Sequence, residues 1–289
     1  MSNISLIIEE RPRDIGNFMV GRLLPFTRKR AVGPFVFLDH MGPVCLSDHQ
    51  NMDIPPHPHI GLSTLTYLFE GSVMHRDSLG VEMEIKPGQV NWMTAGKGIV
   101  HSERTPDYLR TSDKMMHGLQ IWVAMPKELE DSAPSFYHAS EEDIPTWEND
   151  GVSYKLIAGT AFGYKSPVPV YSQLFLLEIK GTEERTIKIG HELFGEVAIY
   201  ILEGSIENEG ISYEPKRILV AKHDELCEFT LKENTTIYIF GGEPFPEERF
   251  IYWNFVSSNK EKIEEAKIKW QEQTFPKIPG ETEFVPLPS

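Results

Sequence analysis

The stretch Asp53-Ile54-Pro55-Pro56-His57-Pro58-His59, followed further along by Ile99-Val100-His101-Ser102-Glu103, decides how this chain is read. A β-strand sends residues i and i+2 to the same face. Prolines on both sides of His57 hold the backbone extended, because each fixes its own φ and pushes its predecessor out of the helical region. If both segments are strands, His57 and His59 leave one face together, and so do His101 and Glu103. Adjacent in a barrel or sandwich, two such strands bring three imidazoles and one carboxylate to a common point. That is a donor set for one divalent transition metal, with positions left open on any ion that takes five or six ligands. The competing reading is a group of buried histidines bonded to backbone. Two ligand-type pairs with hairpin-like strands between them favour the metal.

Outward from this stretch the pattern stays β. Continued past Gly61, strict alternation puts His57, His59, Ser63, Leu65, Tyr67 and Phe69 on one face, and Ile60, Leu62, Thr64, Thr66 and Leu68 on the other. This predicts an inner lining of Leu65, Tyr67 and Phe69, suited to a flat aromatic molecule and equally to an ordinary barrel core. Gly71-Ser72 turns the chain, Val81 to Lys86 alternates, Pro87-Gly88 turns again, and Val90 to Thr94 is a further strand. Gly96-Lys97-Gly98 is not followed by a helical pattern, so it is no phosphate cradle. Met74 to Ser78 reads as a solvated turn near the barrel mouth, a reading that outweighs His75 as a substrate contact. Upstream, Ser5 to Ile8 reads as an edge strand and Met19 to Leu24 as another strand. Pro34 to Leu38 is a strand ended by a turn over Asp39 to Pro43, where His40 reads as a hydrogen-bonded strand-end histidine. Leu119 to Met125 is a strand, and Pro126 to Asp131 a polar connector.

The acid- and proline-containing segment from Glu141 to Glu148 marks a boundary, giving domains 1–138 and 139–289. The second half repeats the first. Tyr67-Leu68-Phe69-Glu70-Gly71-Ser72 recurs as Tyr200-Ile201-Leu202-Glu203-Gly204-Ser205, which points to two domains of one design. At that offset His57, His59 and His101 fall on Gly190, Glu192 and Asn234, so the second copy has no equivalent ligand set; His191 and His223 read as ordinary residues. Ser258-Asn259-Lys260-Glu261 reads as a capping box opening a helix, with Ile263, Ala266 and Trp270 as its buried stripe. The tail from Phe275 runs extended, tacked down by Phe284, Val285 and Leu287.

Composition narrows the function classes. The chain has 289 residues, 28 Lys+Arg against 43 Asp+Glu, and a formal charge of -15. Phosphate backbones need clustered cations, so no direct nucleic-acid binding is expected. Cys45 and Cys227 form no C-x-x-C pair and read as small buried residues in a reducing compartment. No secretory signal and no apolar run long enough for a membrane span is evident, and the expected location is cytoplasmic.

The run Asp53 to Leu62, Val90-Asn91-Trp92-Met93-Thr94-Ala95-Gly96, Gly98 to Glu103, and Gly33 to His40 resemble the pirin family of the cupin superfamily. The resemblance extends over the whole length. It implies an all-β fold of two cupin-type barrels in tandem, a bicupin whose second barrel is degenerate, with a C-terminal helix and extended tail. It carries the metal-ligand role onto His57, His59, His101 and Glu103. Generic cupins place a glutamate a few residues after H-x-H; Ser63 and Thr64 stand there in this chain, and the carboxylate is Glu103. The implied cofactor is one divalent ion, Fe(II) first, with Mn, Co, Ni, Cu or Zn as alternatives. Some pirins are quercetin 2,3-dioxygenases, which implies a flavonol or other enol-like aromatic substrate with dioxygen, and Glu103 as ligand or general base. Others are regulatory modules that bind a protein partner, with the metal as switch.

Overall fold

The computed structural model describes residues 3–15, 19–190, 192–222 and 228–288, so His191, His223 and Cys227 lie outside the described residues. The chain forms two compact units. One holds residues 12–20, 38–138 and 246–289, the other 1–11, 21–37 and 139–245. The C-terminal helix and tail therefore belong with the unit of His57, and the amino-terminal strand Ile4–Glu9 with the later half, where it pairs with Arg217–Ala221.

In the first unit a four-stranded sheet runs in the order Asp53–His59, Ile99–Arg104, Val73–Asp77, Glu82–Ile85. The unit's larger sheet has the order Val90–Thr94, Leu62–Glu70, Lys114–Ala124 and then the strand Phe35–Leu46, which lies in this unit from Leu38 on. Leu68, Val73, Ile85, Met41, Met52 and Met116 form one apolar cluster between these strands. The two histidine-bearing strands are neighbours, with His101 opposite His57 and Ile99 opposite His59.

Gly61 decides which residues face the histidines. Its φ is +66°, and a Cβ there would stand 2.0 Å from the carbonyl oxygen of Val256. Only glycine fits. The chain uses it to leave the four-stranded sheet and enter the larger one, which resets the two-residue alternation. Trp122 packs on His59, and its cross-strand partner Thr64 shares its face. The site therefore faces Thr64, Thr66 and Leu68, and the expected lining of Leu65, Tyr67 and Phe69 lies on the opposite face, where Tyr67 meets Phe69 and Phe69 meets His117.

Other expectations shift too. The strand from Phe35 continues to Leu46 through the supposed turn, leaving His40 buried in mid-strand against His117, Nε2 to Nε2 2.9 Å. Cys45 is exposed rather than buried, because it sits on the outward side of that strand's end. The helix Lys260–Gln271 buries Ile263, Ala266 and Trp270 as expected. Its cap is Asn259, whose side chain accepts from the Glu261 N–H, while the Ser258 N–H is taken by Glu130.

The second unit repeats the plan. Its larger sheet has the order Ile4–Glu9, Arg217–Ala221, Glu196–Glu203, Thr235–Gly242, Leu174–Gly181, Val152–Ala161, Thr146–Asn149, with Tyr164–Lys165 attached to Val152–Ala161. Its smaller sheet runs Arg185–Lys188, Glu228–Leu231, Ile206–Asn208, Ile211–Tyr213. Between them lies an apolar core that includes Ile187, Phe229, Leu231, Ile206, Leu177 and Ile199. Full burial of each such side chain is worth about 1.5–3 kcal/mol.

Candidate metal centre

His57, His59 and His101 converge: one ring nitrogen from each lies within 4.8 Å of the other two, and all three residues are buried. His57 meets His101 at 4.3 Å and His59 at 5.2 Å between ring centroids, and His59 meets His101 at 5.0 Å. Each ring is aimed by its far nitrogen. His57 Nδ1 donates to the Pro55 carbonyl at 2.9 Å, and His59 Nδ1 to the Asn254 carbonyl at 3.2 Å. His101 Nδ1 lies 3.4 Å from His75 Nδ1, and His75 Nε2 lies 3.1 Å from Asp77 Oδ2. A carboxylate accepts, so His75 carries its proton on Nε2 and its Nδ1 accepts from His101. With Nδ1 so engaged, His57, His59 and His101 are each left with Nε2 as the nitrogen that could take an ion.

This arrangement fits a metal ion. His59 Nε2 and His101 Nε2 stand 3.1 Å apart, yet with both protons on Nδ1 neither can donate to the other. Two donors at about 2.1 Å from one ion and at a right angle to each other are separated by about 3.0 Å. Burial holds the rings neutral, as ligands must be. It pushes His57 down to about 4, partly offset by the bond to Pro55, and lowers His59 and His101 well below the ordinary imidazole value, with neighbouring histidines adding to the effect.

Glu103 lies two residues past His101 on the same strand, buried, with an irregularity in the pairing between the two positions. It falls outside the group of three nitrogens within 4.8 Å of one another. Burial raises its carboxyl to about 7, with the Thr66 hydroxyl pulling the other way. Thr66 Oγ1 also lies 3.0 Å from Gln120 Oε1, so its single proton is shared between Glu103 and Gln120. A carboxyl balanced near neutrality on the same strand as a triad histidine can take or give a proton.

The segment expected to be a solvated turn is instead the buried strand Val73–Asp77, which brings His75 and Asp77 behind His101. His75 is 4% exposed and stacked on Phe136, on the strand Val73–Asp77. The signal was present: His75-Arg76-Asp77 has the same i, i+2 spacing as the ligand pairs, and it follows the Gly71 turn. Asn254 and Trp122 carry no such signal, since they reach His59 only through the fold.

Two cupin-type barrels in tandem, the first with a buried histidine triad, make this chain a bicupin. The Pirin family profile matches residues 17–123, and the Pirin C-terminal cupin domain profile matches residues 176–276. A pirin-like protein of Caulobacter vibrioides is 48% identical over 99% of both chains. The chain belongs to the pirin family. The crystal structure of a quercetin 2,3-dioxygenase from Acinetobacter baumannii superposes with a TM-score of 0.90 and 33% identity, over 98% of this chain and 95% of that one. A bacterial pirin from Escherichia coli in complex with nickel(II) shares the fold, with a TM-score of 0.65 and 18% identity over 83% of this chain and 99% of that one. Among the described residues no helix is long and apolar enough to cross a membrane.

Proposed function

We propose that the protein is a metal-dependent dioxygenase of the quercetin 2,3-dioxygenase type, acting on a flavonol or related enol-bearing aromatic. The observation that carries this reading is the convergence of three buried imidazoles, with the buried carboxyl of Glu103 two residues past His101 on the same strand. Likeness to the Acinetobacter dioxygenase over nearly the whole chain supports it.

His57, His59 and His101 would hold the ion through Nε2, and the Pro55, Asn254 and His75 partners fix the ring angles. A bound divalent ion, Fe(II) by cellular supply, would provide Lewis acidity and access to dioxygen chemistry. Glu103 serves as a fourth ligand or takes the substrate hydroxyl proton onto its carboxylate; Thr66 and Gln120 orient it for either role. Trp122 against His59 helps to exclude water on one side. Oxygen uptake with quercetin by the iron-loaded protein, compared with the metal-free protein and with His57→Ala, tests the reading. Uptake no greater than that of the metal-free control across flavonols, catechols and enols would sink it.

A further inference from the structure

We infer that the C-terminal segment braces the ligand strands from behind, and that Glu281 is a positioning residue that sets how tightly the triad holds its ion. The inference rests on the metal reading above.

On the strand Ile99–Arg104 the ligand side sends out His101 and Glu103, so Val100, Ser102 and Arg104 face the other way. One carboxylate spans the last two. Ser102 Oγ donates to Glu281 Oε1 at 2.5 Å, and Arg104 donates to Glu281 Oε2 through Nη2 at 2.6 Å and Nε at 3.3 Å. Glu281 thus grips the residues on either side of Glu103, one of them also next to His101.

That grip falls where the pairing with Asp53–His59 is irregular. Its register against Asp53–His59 breaks between His101 and Glu103, so Ser102 has no partner there. Pro55, Pro56 and Pro58 on the facing strand have no N–H to give. On its other edge the strand pairs in unbroken register with Val73–Asp77, Ser102 opposite Arg76, so the thin ladder is confined to the seam with Asp53–His59, the seam that sets His57 and His59 against His101. The tail also fixes the facing strand, where the Val285 N–H donates to the Pro56 carbonyl at 2.9 Å, next to His57. The tail is itself anchored: Trp270 Nε1 donates to the Val285 carbonyl at 2.9 Å, and Trp270, Phe275 and Ile278 pack in one cluster with Ile60 and Val100, the rear-facing neighbours of His59 and His101.

The test compares Glu281→Ala and Ser102→Ala with wild type, and with Glu283→Gln as a control that loses only a mostly exposed carboxylate on Arg104. Nickel(II) affinity is measured by chelator competition, Co(II) absorption reports the ligand geometry, and hydrogen exchange of residues 99–104 is followed in the metal-free protein. Glu281→Ala and Ser102→Ala are each expected to weaken nickel binding about tenfold, the low end of the effect of an outer partner, to shift the Co(II) bands, and to speed exchange in 99–104. Glu283→Gln is expected to leave all three readouts as they are. Affinity within about twofold of wild type with unchanged Co(II) bands overturns the brace, even if the melting temperature falls. A wild-type chain that takes up neither ion overturns the metal reading itself and this inference with it.

Discussion

The two barrels share a strand plan and differ in what fills them. Strand for strand, Asp53–His59 and Ile99–Arg104 of the first smaller sheet take the places held by Arg185–Lys188 and Glu228–Leu231 in the second. In the first barrel these strands give His57, His59, His101 and Glu103; in the second they give Ile187, Phe229 and Leu231 to an apolar core. Even the chain reversals match, with Gly71 at φ +87° and Gly204 at φ +72° after corresponding strands. The comparison shows that the ladder and turns carry the architecture, while a few inward side chains on two strands decide whether a barrel encloses an apolar core or a group that could hold a metal ion. A buried polar set is tolerated only where every group has a partner, and the first barrel supplies Pro55, Asn254, His75, Asp77 and Thr66 for that purpose.

The sharpest way to break the comparison is to empty the site. His57→Ala or His101→Ala should abolish stoichiometric metal uptake, while Glu192→Ala or Asn234→Ala in the second half should leave one ion per chain by metal analysis. An ion lost with Glu192 or Asn234 would end the asymmetry. Next in size, Glu103→Gln should lower flavonol-dependent oxygen uptake by about 10²–10⁴-fold if Glu103 is the base. It should also remove the limb of kcat/KM that rises with pH as the carboxyl, placed at about 7, loses its proton. Metal content unchanged with activity lost separates base from ligand; both lost means ligand.

Phe229→Ala probes the other barrel. A fully packed aromatic replaced by alanine costs about 3–5 kcal/mol in urea unfolding, and the nickel affinity of the folded protein should stay the same. Asp77→Asn, which disturbs the proton placement on His75 and so on His101, should weaken metal binding about tenfold, read by chelator competition. The smallest effect is in the pH dependence of the metal-free protein. His57, His59 and His101 titrate below their ordinary 6.5 when folded, so the unfolded chain binds more protons as the pH falls from about 6.5 and stability is lost toward about 4. Glu103 works in the opposite sense, costing stability as the pH rises from its ordinary 4.5 through about 7. Three groups against one predict a net fall in melting temperature on the acid side, shallower in His57→Ala.

Much of this was legible in the chain. Proline bracketing and i, i+2 spacing identified the triad because both are local. The repeat around Gly71 and Gly204 identified the second barrel for the same reason. A constant offset then misplaced the equivalents, putting His101 at Asn234, a turn residue at φ +50°. Unequal loops between corresponding strands spoil any fixed offset beyond the matched turn. Counting alternation through Gly61 put Leu65, Tyr67 and Phe69 on the wrong face, since a left-handed residue that carries the chain between sheets is invisible to a period-two count.

Sequence by itself determined the strand periodicity, the tandem design and the three imidazoles, because each depends on neighbours a few residues apart. Only the tertiary structure decided that His75 and Asp77 stand behind His101, that Asn254 aims His59, and that Glu281 clasps Ser102 and Arg104. Those contacts join residues distant along the chain, and no local pattern encodes a partner that arrives only when the barrel closes and the C-terminal segment folds back over its rear.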